Sequence, residues 1–263
     1  MPRIWGGVPS NRRPQGAGLC HRTAKLISMP KLARKSSTIS SASKAATRRS
    51  LAPDRVAAIL KALDEAYPRA ECALTHSSPW ELLVATILSA QCTDVRVNLV
   101  TPELFRRFPT PQKMAKATLP QLEALIRTTG FFRNKAKSIQ GAARKIVSDF
   151  NGHVPHTLAE LITIPGAARK TANVVLGVAY GKAEGVVVDT HVLRIARRLG
   201  LAKGETPQKV EQELMRILPQ DRWIDFSHQI IHHGRQVCAA RKPKCDRCNL
   251  EQPCTSKDKT WQS

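Results

Sequence analysis

The chain has 263 residues, 42% of them hydrophobic, and a formal net charge of +22. That length supports a buried core, and no run approaches the roughly 18 apolar residues of a membrane helix, which excludes a helical bilayer span. The cation excess points to a polyanionic partner; with no basic amphipathic helix backed by large apolar residues, that partner reads as nucleic acid rather than a membrane surface.

The charge is uneven. Residues 1–50 hold eleven Lys or Arg and no acid, the first being Asp54, while the 31 cations and 20 anions from residue 51 onward still leave +11. "MPKLARKSSTISSASKAATRRS" is rich in Ser, Ala and basic residues without a helical stripe, so residues 1–50 read as a disordered basic tail. An organelle transit peptide, a basic DNA-binding arm and an over-extended start ahead of Met29 all fit that composition. The expectation is a tail with no function or weak DNA affinity; there is no secretory segment.

From Leu51 on, nearly every segment reads as helix. "SPWELLVATIL" has Ser78 as N-cap, Pro79 at the first helical position and Glu81 closing a capping box. "TLPQLEALIRTTG" repeats the device with Thr118 and Gln121 and stops at Gly130. "NKAKSIQGAARKIVSDF" carries helical apolar spacing up to Asn151-Gly152, and "TLAELI" opens with Thr157 and Glu160. "DTHVLRIARRLG" starts on Asp189 and stops at Gly200; "TPQKVEQELMRIL" starts on Thr206 and Pro207. "WIDFSHQIIHHG" lines up Trp223, Phe226 and Ile230. Only "GVVVD" reads as extended, so the predicted fold is all-α with short connections.

"LITIPGAARKTANVV" has the form of a helix–hairpin–helix. Leu158, Leu161 and Ile162 form the apolar edge of a short helix, "IPGAA" a tight turn, and Lys170–Tyr180 a second helix with Ala172, Val175, Leu176 and Ala179 inward and Gly181 as its cap. Backbone N–H groups at such a turn bind a DNA phosphate without regard to base, and glycine lets the backbone approach closely. Two cations, Arg169 and Lys170, stand where the helix dipole is positive and cations are unwelcome.

Seven cysteines occur. Cys20, Cys72 and Cys92 are scattered and read as tail or core thiols. Cys238, Cys245, Cys248 and Cys254 crowd into "CAARKPKCDRCNLEQPC", spaced C-x6-C-x2-C-x5-C. Four thiolates on a short loop hold either a [4Fe–4S] cluster or tetrahedral zinc, and spacing alone leaves both open. A secreted disulfide scaffold would be smaller and would spread its cysteines.

"IPGAARKTANVV", then "VVVDTHVLRIARRLG", then the cysteine group, in that order, resemble the endonuclease III family of helix–hairpin–helix DNA glycosylases over residues 51–263. The resemblance implies a two-lobed fold: residues 72–182 with the hairpin at 158–181, and residues 51–71 plus 183–263 with the cluster loop at 238–254. It implies a [4Fe–4S] cluster on the four cysteines. It also makes Lys170 the catalytic lysine and Asp189 the carboxylate facing it across the cleft. The positive helix end and neighbouring Arg169 then have a purpose, because a lysine is nucleophilic only when neutral.

The same resemblance gives DNA-binding roles to Gln91, Phe131, Gly166, Ala168 and Arg169, with Arg241, Lys242 and Lys244 between the first two cysteines. Gln91 would fill the gap left by a flipped nucleotide, and Phe131 would act as an apolar wedge; burial is the competing reading for Phe131 and Phe132, and solvation for the basic loop. Ala168 stands where the family has a second hairpin glycine, and its Cβ would hinder a positive φ or a close phosphate. His191 reads as a packed residue or a partner of Asp189.

The implied activity is a bifunctional glycosylase and abasic-site lyase acting on double-stranded DNA with oxidised pyrimidines or abasic sites, as a monomer. The expected compartment is the bacterial cytoplasm and nucleoid, or an organelle or nucleus if the tail is a targeting segment. An adenine-mismatch glycosylase of the same superfamily is the nearest rival; Lys170 and the end at Ser263 set the expectation against it. A noncatalytic cluster-bearing DNA-binding module is the other.

Overall fold

A computed structural model describes residues 53–260, all within one unit spanning 41–263. Residues 1–50, with the tail and Cys20, lie outside the described residues. In chain order the helices are α1 (Pro53–Ala66), α2 (Pro79–Leu88), α3 (Asp94–Arg107), α4 (Pro111–Lys116), α5 (Leu119–Ile126) and α6 (Phe132–Asp149). There follow α7 (Leu158–Leu161), α8 (Arg169–Tyr180), α9 (Thr190–Arg198), α10 (Pro207–Ile217) and α11 (Trp223–Gln236), with short 3-10 turns between some of them. No strand occurs among the described residues; residues 186–189 carry no regular structure, Val187 N donates to Ser227 Oγ at 3.1 Å, and Val186 and Val188 are buried.

The starts follow from capping chemistry. Thr93, Thr110, Thr157 and Thr206 each accept a backbone N–H of the first turn through a side-chain oxygen, satisfying a group the helix itself cannot. Thr118 and Gln121 form the expected reciprocal box. At α2 the box is displaced: Ser78 Oγ accepts from Glu81 N, but the Glu81 carboxylate accepts from Ser77 N at 2.7 Å and Ser77 Oγ at 2.8 Å. Ser77 thus supplies both of the donors that the carboxylate takes.

The buried side chains fall into two clusters. The first is built around α2, whose Trp80 and Leu82 through Leu88 are all buried, so this helix is apolar on every side and sits centrally. Leu104, Ile126, Ile139, Ile146, Leu161 and Leu176 complete that core. The second joins Ile59 and Leu63 of α1 to Val192, Ile195, Leu214, Phe226 and Ile230 from the C-terminal helices. Among the described residues α1 therefore belongs to one lobe, α2–α8 build the other, and the chain returns after Tyr180. Each fully buried Leu, Ile or Phe contributes about 1.5–3 kcal/mol, which makes the two cores firm walls for what lies between them.

Candidate active site

The hairpin closes with Ala167 N donating to Ile164 O at 3.0 Å. Gly166 takes the positive φ of +81°, and a Cβ there would come within 2.9 Å of Ser138 Cβ. Ala168 is extended at φ −67° and exposed, so the feared conflict with positive φ does not arise. The position that demands a positive φ is that of the first hairpin glycine, where glycine adopts it without strain. Ala168 supplies no side-chain cap to α8, which leaves the first N–H groups of this helix available to an anion. Ala172, Val175 and Leu176 are buried as expected, whereas Ile162 is 51% exposed and is no part of the apolar edge.

The adjacent cations part company. Arg169 Nε donates to Glu211 Oε2 at 2.8 Å, and Asn173 Nδ2 to Glu211 Oε1 at 2.8 Å. Glu211 is 5% exposed, and its hydrogen bond holds the Arg169 guanidinium above the ordinary value. Arg169 is thus committed to a buried carboxylate from α10, which offsets the charge the sequence placed beside Lys170. Lys170 is exposed and forms no hydrogen bond or ion pair among the described residues.

Lys170 and Asp189 line one cleft, together with Cys72, Asp94, Ser227 and His228 among others. Asp189 caps α9: its Oδ1 accepts from His191 N and Val192 N, both at 2.8 Å. Its second oxygen has no partner among the described residues. The cap fixes the carboxyl group while leaving one oxygen for other work. His191 is packed, with Nδ1 3.2 Å from an Arg194 nitrogen, and burial lowers its proton affinity.

Gln91 and Phe131 come from different loops and line a second groove with Gly166. Both are in the left-handed region, at φ 53° and 47°, which costs a non-glycine residue on the order of 1–3 kcal/mol. Phe131 is 65% exposed, while Phe132 packs against the first core. Burial is therefore the role of Phe132 alone. Lys135, itself buried, donates Nζ to Thr129 O at 2.7 Å and braces the turn that holds Phe131 out.

The four C-terminal cysteines line a single cavity with Arg198 and Lys244 and form no disulfide. Arg198 donates to Cys238 Sγ at 3.3 Å and Thr260 N to Cys245 Sγ at 3.4 Å. Burial pushes the Cys248 thiol up to about 11 and raises Cys254 too, so thiolates here require a cationic centre. Four convergent sulfurs with N–H donors aimed at two of them fit a bound cluster; no trio of ligating side chains among the described residues closes on a single metal ion. Arg241, Lys242 and Lys244 are exposed and make no ion pair among the described residues.

Sequence reading missed Glu211, Lys135, His228 and the ion pair of Asp94 with Arg235 at 2.6 Å on the cleft rim. Glu211 and Lys135 sit in helices as ordinary surface-type residues, and only tertiary packing shows them buried; Asp94 and Arg235 are far apart in the chain.

Residues 84–220 match the HhH-GPD superfamily of base excision DNA repair proteins. The protein called endonuclease III in Synechocystis sp. (strain ATCC 27184 / PCC 6803 / Kazusa) is 56% identical over 202 residues, covering 77% of this chain and 92% of that protein. The solved structure of a non-covalent endonuclease III–DNA complex superposes with a TM-score of 0.74 at 40% identity, covering 78% of this chain and 96% of the other. A trapped endonuclease III–DNA covalent intermediate gives 0.74 at 41% identity, with the same coverage.

Proposed function

The chain belongs to the endonuclease III family of the HhH-GPD superfamily, and from that membership we propose how its own residues divide the work of a bifunctional base excision repair glycosylase and abasic-site lyase. DNA is the partner. The hairpin from Ile164 to Ala168 and the start of α8 hold a phosphate on backbone N–H groups, and Arg241, Lys242 and Lys244 add contacts to the backbone of the duplex. Phe131 enters the stack as a wedge, and Gln91 occupies the space the flipped nucleotide leaves.

Lys170 is the nucleophile. Its Nζ lone pair forms a bond to C1′ as the glycosidic bond breaks, and the base leaves with that bonding pair and takes up a proton. The sugar ring opens as O4′ is protonated and C1′ becomes an iminium carbon. Loss of a proton from C2′ then drives cleavage of the C3′–O bond, so the 3′ phosphate departs. Asp189 stabilises positive charge on the sugar during base departure and carries protons afterwards. An abasic site joins the same route without the first departure.

Cys238, Cys245, Cys248 and Cys254 hold a [4Fe–4S] cluster, which when bound supplies cross-links that order a loop too polar to fold alone. The preferred substrates are oxidised pyrimidines in duplex DNA, and the enzyme acts as a monomer in the bacterial cytoplasm. No helix among the described residues is long and apolar enough to cross a membrane.

The observation that carries this reading is the exposed Lys170, without an ion pair among the described residues, in one cleft with a fixed Asp189. Its test is a duplex carrying 5,6-dihydrothymine in an end-labelled strand, incubated with anaerobically purified protein assayed for iron. The expected result is released dihydrothymine, a strand ending in a 3′ unsaturated aldehyde, and about four irons per chain. Tight binding without release or cleavage would identify a noncatalytic DNA-binding module instead.

A further inference from the structure

The four histidines of α9 and α11 differ in how they are used. His191 Nδ1 lies 3.2 Å from an Arg194 nitrogen, His232 Nε2 3.3 Å from Glu71 O, and His233 Nδ1 3.0 Å from the Tyr67 hydroxyl. His228 has no hydrogen-bond partner on either ring nitrogen among the described residues. It is half-buried on α11 and lines the cleft that contains Lys170 and Asp189.

The ring nitrogens of His228 are not among the buried unsatisfied atoms of the described residues, so they stay open to a molecule entering the cleft. Its charge state is set by what faces it. Burial and His232 lower its proton affinity, while Asp225 from its own helix and Glu71 from the opposite wall raise it; the net shift is downward. Lys170, Asp189, Cys72, Asp94 and Arg235 are the remaining titratable groups of the cleft. A neutral imidazole carries one donor and one acceptor nitrogen. The base being excised is bonded to C1′, the atom Lys170 attacks, so it must lie in this same cleft. Its imide edge presents an N–H between two carbonyl oxygens, matching either ring nitrogen.

We propose that His228 hydrogen-bonds the edge of the flipped pyrimidine and thereby helps decide which bases are excised. This rests on Lys170 and Asp189 being the reacting pair. An abasic sugar has no base and so makes no use of His228.

The experiment compares single-turnover release of dihydrothymine with single-turnover cleavage of an abasic duplex, for the wild-type holoenzyme, His228→Ala and His228→Leu. Leucine keeps the volume without the nitrogens and stands in where alanine does not fold. The expected result is a fall of about tenfold in the ratio of base release to abasic cleavage, the worth of one hydrogen bond, in whichever variant folds. An unchanged ratio, whether both rates hold or both fall together, overturns the assignment to His228. A wild-type protein that cleaves neither substrate overturns the assignment of Lys170 beneath it.

Discussion

Arg169 and Lys170 are neighbours in sequence, yet one is bound to the buried Glu211 at 2.8 Å and the other to no side chain or carbonyl among the described residues. That difference separates a residue that fixes the helix from one free to react. In the proposed mechanism Asp189 joins its observed cap to a charge-stabilising role, and the two can be separated. Asparagine caps a helix about as well as aspartate but carries no charge to stabilise the departing sugar. Asp189→Asn should therefore leave the melting temperature nearly unchanged, since Val192 N and His191 N keep an acceptor. Base release should slow about 10²-fold. Thermal melting and single-turnover rates on the same preparation check both halves; an unaltered rate would reduce Asp189 to a cap. Lys170 and Asp189 stood out in the sequence because one breaks a local rule and the other opens a helix, and the structure places both on one cleft. Glu211 was not, because its burial depends on α8 packing 38 residues away.

At the level of elements, the caps were legible and the loops were not. Ser78, Thr118, Thr157, Asp189 and Thr206 all open helices where their side-chain chemistry says they should. The start of α6 lies two residues before the expected Asn134, because Phe131 adopts a left-handed conformation that no propensity favours. That strain, the bracing of the turn by Lys135, and the 65% exposure of an aromatic ring are consistent with a loop held ready to meet the stack. Phe131→Ala removes an exposed ring, so stability should change by no more than about 0.5 kcal/mol. Extruding a paired base costs a few kcal/mol, least when the base is already unpaired. Release of a paired lesion should then fall roughly tenfold in the variant, with a smaller fall for the same lesion in a bulge. Equal losses on both substrates would assign Phe131 to general binding.

For the molecule as a whole, two cores that share no side chains leave a cleft where residues from both lobes meet. Lys170 and Asp94 come from the lobe of α2–α8; Asp189, His228 and Arg235 come from the other. The side chains of α1 pack with the C-terminal helices rather than with α2, a long-range pairing that composition and periodicity could not reveal. The net charge of +11 from residue 51 onward gives the described body a cationic character that does not depend on the tail. The account stands on the amine of Lys170 becoming joined to deoxyribose. Borohydride reduction during incubation with an abasic duplex tests that bond directly, because it converts the iminium to a stable amine. Wild-type protein should yield a covalent protein–DNA adduct on a denaturing gel, and Lys170→Ala should yield none while still binding the duplex. An adduct of undiminished yield in Lys170→Ala, or none with the wild type, would contradict the account.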